Sequence, residues 1–139
     1  VRLTKAQRKY VFGKFGGRCA YCGAELGDRW HADHIEPVER KLEFVRDGSS
    51  ARLRTTGEVH RPERDCIDNI NPACAPCNID KHAMPLEAWR KKLQQAPDVL
   101  KRNQPTYRHA LRFGLVAETQ ASITFYFERI AAEIAKANP

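Results

Sequence analysis

The sequence predicts a small single-domain α+β fold, stapled by a four-cysteine zinc site and flanked by N-terminal and C-terminal helices. Three observations carry this. Two Cys-x-x-Cys pairs, Cys19/Cys22 and Cys74/Cys77, supply enough thiolates to close one tetrahedral zinc site. Residues 30–38 alternate in part, as a strand does, while helical periods run on either side. The chain has 139 residues, 42% of them hydrophobic, which fits one domain with a modest core. A structural metal helps a domain of this size to hold together. The core is expected over about residues 17–82, an N-terminal helix over about 4–15, and a mixed helical and strand extension over about 84–137.

In chain order, Thr4 can cap a helix whose Val11, Phe12 and Phe15 share a face, and Gly16-Gly17 ends it. The first Cys-x-x-Cys knuckle follows, with Gly23 letting the chain turn tightly. Residues 30–38 read as a strand running into a turn at Pro37. Residues 39–65 are charged and carry turn signals at 48–50 and 55–57, so an extended loop or β-excursion is expected. The stretch 68–72 is rich in turn formers and leads into the second knuckle. A short helix is expected from about Cys77. Pro85 suits a helix start, and Leu86, Trp89 and Leu93 then line one face. Residues 107–113 read as a further short helix ended by Gly114. Ile123 to Phe127 alternates like a strand, so a strand followed by a C-terminal helix is expected over 117–137. Trp30 and Trp89 are expected in the core.

The net charge is +7, which favours an anionic partner such as nucleic acid. The charge is uneven. Residues 1–18 carry six Lys and Arg and no acid, and the stretch from Met84 onward carries nine against five. The middle is acidic, nine against twelve. Basic flanks around a carboxylate-bearing centre suit phosphate binding. Arg40, Lys41, Arg46, Arg52, Arg54, Arg61 and Arg64 form either a solvated loop surface or a DNA-contacting arm.

No N-terminal apolar segment suggests secretion, and no run is long enough to span a membrane. The paired cysteines therefore read as metal ligands in a reducing cytoplasm rather than as disulfides. Cys66 is left over, as a buried or neutral thiol or an alternative ligand. Four thiolates fill the zinc sphere and leave no open position, so chemistry must come from elsewhere. The candidate is Asp33-His34. A carboxylate suits a hard cation such as Mg²⁺ or Mn²⁺, and a neutral imidazole can take a proton from water near pH 7. Alone, an Asp-His step is most often structural. Its place between the knuckles, with Asn69 and Asn78 downstream, favours a site. Lys81 is either a phosphate contact or a solvated lysine. His31 is a candidate for supporting the site, and His82 for a third metal ligand or a phosphate donor. His60 and His109 read as surface histidines.

These residues carry a resemblance. Cys19-x-x-Cys22, Asp33-His34-Ile35-x-Pro37, Asn69 and Cys74-x-x-Cys77-Asn78-x-x-Lys81 resemble the HNH endonuclease family, in its zinc-containing branch common in phages and bacteria. The resemblance covers residues 19–81 and implies a ββα-metal core. It implies that His34 is the general base and that Asp33 is a ligand of a catalytic Mg²⁺ or Mn²⁺. Asn69 would hold the loop and orient the base. Asn78 stands where the family name expects His, which makes an H-N-N variant with Asn78 as the second ligand. The long segment between Pro37 and Asn69 departs from the family pattern.

The implied activity is hydrolysis of phosphodiester bonds in double-stranded DNA, without an organic cofactor or a membrane. Phage members of this kind can work beside a terminase; others act in restriction or as mobile-element nucleases. The alternative is a non-catalytic zinc-stabilised DNA-binding module, which would need the cysteines and basic flanks but not Asp33, His34 and Asn78 together.

Overall fold

The computed structural model of the protein describes residues 2–138. Among these are six α-helices and two separate two-stranded antiparallel sheets. Helix α1 (Lys5–Gly13) starts at Thr4, whose side chain accepts a hydrogen bond from the Gln7 backbone while the Gln7 side chain accepts one from Thr4. Gly16 and Gly17, at φ 60° and 74°, turn the chain out of it.

Strand β1 (His31–His34) pairs with β4 (Ile70–Ala73), with His31 opposite Ala73 and His34 opposite Ile70. The turn reading of 68–72 is thus corrected from Ile70 onward. Every residue of β4 is buried, and burial against β1 outweighs the turn-forming tendency of Asn71-Pro72. The missing N–H of Pro72 costs no sheet bond on the outer side, and its carbonyl accepts from Ala20 at 2.9 Å, tying β4 to the first knuckle.

Residues 39–65 hold a β-hairpin, β2 (Arg40–Asp47) and β3 (Ser50–Val59). Its two-residue turn uses Gly48 at φ 61°. A bulge near the root lets Arg40 pair with Val59 but Leu42 with Thr55. No residue of either strand is buried, so the ribbon stands out from the core.

Helix α2 (Ala75–Lys81) follows β4 at once and packs on β1. It begins two residues before the start expected from the sequence, with Cys74 as its N-cap. Then come α3 (Leu86–Gln94), α4 (Ala96–Asn103), α5 (Pro105–Arg112) and α6 (Tyr126–Ala137). The strand expected at 123–127 is absent. The backbone N–H groups of Tyr126 and Phe127 bond the Tyr21 and Ala20 carbonyls instead, at 2.9 and 2.8 Å. Glu128 accepts the Phe125 N–H at 2.9 Å and so opens α6.

One core gathers Cys19, Tyr21, Ala73, Trp89 and Phe125 around the first knuckle. Trp89 and Phe125 stack with ring centroids 5.1 Å apart, and Tyr21 meets Trp89 edge-on at 5.1 Å. A second core joins Val11, Trp30 and Ile70 under α1. No described helix is long and apolar enough to cross a membrane.

Candidate metal centre and the Asp33-His34 step

The two knuckles arrive at one place. Cys19 and Cys22 sit in a turn closed by Gly23 N–H to Cys19 carbonyl at 2.9 Å. Gly23 stands at φ 77°, and a Cβ there would lie 2.9 Å from the Tyr126 ring, so both the turn and the packing require glycine. Cys74 caps α2 and Cys77 lies in its first turn.

All four sulfurs lie within 4.8 Å of one another, and Cys22 and Cys74 are 3.7 Å apart. Four sulfurs about 2.3 Å from a central zinc would be about 3.8 Å apart, so the cluster is near ligand spacing. Among the thiols, the hydrogen bond from Cys77 holds Cys19 down to about 4, against the effect of burial. The same contact pushes Cys77 above the usual thiol range, and burial pushes Cys74 up. A divalent cation replaces such shared protons. The four cysteines can hold a structural metal such as zinc. Cys66 is exposed and outside the cluster, so neither burial nor ligation describes it.

On β1, successive side chains leave the strand on opposite faces. Asp33 points inward and is 7% exposed. Its Oδ2 accepts the Tyr21 hydroxyl at 2.5 Å and lies 3.0 Å from Lys81 Nζ. Lys81 is fully buried, and its ammonium also donates to the His34 carbonyl at 2.6 Å. Burial and the neighbouring Asp33 carboxylate push the Tyr21 phenol far above its usual range, so it stays a donor. The structure departs from both readings of Lys81, the phosphate contact and the solvated lysine. The ammonium is spent inside the protein, where it neutralises Asp33.

His34 leaves the other face. Its Nε2 is 2.8 Å from Asp65 Oδ1. Burial acts to raise the Asp65 pKa, but the hydrogen bond from His34 and nearby positive charge outweigh it and hold the carboxyl below its usual value. Asn69 braces both partners. Its Nδ2 donates to the Glu36 and Arg64 carbonyls, each at 2.8 Å, and its Oδ1 accepts the Glu36 N–H at 3.0 Å. It thus ties the segment just after His34 to the residue just before Asp65. Asp65 was missed in the sequence. It lies in the charged stretch without a periodic pattern, and only folding brings it to His34.

Asn78 is half-buried on α2, one turn before Lys81 and on the same side. No hydrogen bond to its side chain forms among the described residues. Asn71, opposite Asp33 across the sheet, buries an Nδ2 without a partner among the described residues. His31 is exposed at the start of β1, and His82 is exposed at the end of α2 with φ 49°. Among the described residues the four cysteines are the one cluster of three or more His, Cys, Asp and Glu placed to hold a metal.

A Mg²⁺ or Mn²⁺ ion at Asp33 does not fit this arrangement. It would stand against an ammonium already 3.0 Å from the carboxylate. Comparison with known proteins found no relative: no protein-family model, curated protein or solved structure matches the chain.

Proposed function

We propose that this chain is a DNA endonuclease of the HNH kind, with His34 as general base. The observation that carries the reading is the His34–Asp65 pair, at 2.8 Å, braced on both sides by Asn69. With Nε2–H donated to Asp65, Nδ1 is the nitrogen left to accept a proton, and it has no hydrogen-bond partner among the described residues. Asp65 would fix the ring and stabilise the imidazolium formed when water loses its proton. The order β1, β4, α2, with His34 on the first strand and Asn78 on the helix, supports a ββα reading.

A Mg²⁺ or Mn²⁺ ion does not fit at Asp33 and Asn78 while the Lys81 ammonium holds the carboxylate, and no step is assigned to such an ion.

The second reading is a non-catalytic zinc-stabilised DNA-binding module. The Asp33–Lys81 pair favours it, because it turns the carboxylate to a structural use. The two readings separate when zinc-loaded protein is incubated with supercoiled plasmid and Mg²⁺ or Mn²⁺, with and without chelator. The nuclease reading expects metal-dependent open circles. Plasmid that is bound but stays supercoiled with every divalent ion tried would leave only the module.

A further inference from the structure

The β2–β3 ribbon is the feature that the zinc cluster and the His34 pair leave unexplained. It has no buried residue, yet it carries large apolar side chains: Phe44 is 76% exposed, Leu53 57% and Leu42 55%. The register sets Phe44 opposite Leu53, and Leu42 lies two residues from Phe44, so the three share one face. Arg46 continues that face toward the turn. Such a face on a projecting ribbon calls for something to cover it.

Its charges say what. Glu43 is taken by Arg54 at 2.6 Å, and Glu58 by Lys41 at 2.9 Å. Arg40, Arg46 and Arg52 form no ion pair among the described residues, and Asp47 at the turn is the ribbon's one carboxylate outside a pair. The N-terminal flank is less available than its composition implied. Arg8 donates to the Trp30 carbonyl, Lys14 to the Ile67 and Ile70 carbonyls, and Arg18 to Gly23 and Glu25.

We propose that the ribbon is a DNA-docking arm that enters the major groove of a duplex. Arg46 meets phosphate, and Leu42, Phe44 and Leu53 lie against base edges and thymine methyls. The major groove, about 12 Å wide, admits a two-stranded ribbon. Eight residues of strand reach about 26 Å from the root, enough to follow the groove for several base pairs. The root is held by His60 N–H to the Glu39 carbonyl at 2.8 Å and Arg61 N–H to the Val38 carbonyl at 3.0 Å. This anchors the arm in the segment between His34 and Asp65, so a docked duplex lies beside the proposed base. The inference rests on the proposed function only for the duplex as partner.

The test is binding of a fluorescent 25-base-pair duplex to the zinc-loaded full chain in buffer without added Mg²⁺ or Mn²⁺. Arg46→Gln should weaken binding several-fold at moderate salt and lower the slope of log affinity against log salt by about 1. Phe44→Ser with Leu53→Ser should weaken binding and leave that slope unchanged. All three sites are exposed, and an unchanged melting temperature shows that each variant is folded. Wild-type affinity and slope in both variants would overturn the arm, while plasmid nicking by the wild type would still stand. A wild type that sediments as a dimer, with the Phe44/Leu53 variant a monomer, would also overturn it by assigning the face to a second copy.

Discussion

Lys81 and Asp33 form a buried ion pair, with Nζ 3.0 Å from Oδ2 and the two side chains 1% and 7% exposed. The pair joins α2 to β1, and the Tyr21 hydroxyl joins both to the first knuckle. Removing one partner strands a charge in the interior. Lys81→Met should therefore cost about 3–5 kcal/mol in denaturant unfolding of the zinc-loaded protein. Asp33→Asn added to it should restore part of that loss. A single substitution costing under about 1 kcal/mol would show that the pair is open to water.

The sulfur cluster couples segments far apart in sequence. Cys74→Ser should reduce bound zinc and lower the melting temperature, because metal binding to such a site is also folding energy. Unchanged zinc content and melting temperature would remove Cys74 from the ligand set.

Glu128 makes two bonds to Arg90 and accepts the Phe125 N–H, closing α6 onto α3. The Arg90 hydrogen bonds hold its carboxyl below the ordinary 4.5, against burial. A lowered folded pKa means stability that is fully present above about pH 4.5 and lost as pH falls through the folded value. Glu128→Gln should lower the melting temperature at pH 7, and the gap to wild type should shrink below pH 4. A gap constant from pH 7 to pH 3 would contradict the assignment.

What the sequence made legible depended on range. The four-cysteine cluster is legible because spacing alone brings two sulfurs of a knuckle together. Thr4 is legible as a helix start because capping is local, and Pro85, expected as the first residue of a helix, stands one position earlier as the N-cap of α3 without a side-chain capping bond. The ribbon was readable only as an excursion, since strands exposed on both faces show no simple apolar period. Asp65 and the Lys81–Asp33 pair were not legible, because each contact joins residues distant in the chain. Ile123 to Phe127 misled for a related reason. Its alternation serves packing against Tyr21 and Trp89, where the chain runs as an extended connection into α6.

The central claim is that His34 takes the proton from the attacking water. Its most direct test is the single-turnover nicking rate of His34→Ala against wild type, both zinc-loaded and saturating the same plasmid with Mn²⁺ present. The account predicts a rate lower by about 10²–10⁴, with DNA affinity and melting temperature retained. Equal rates for the two proteins would contradict it.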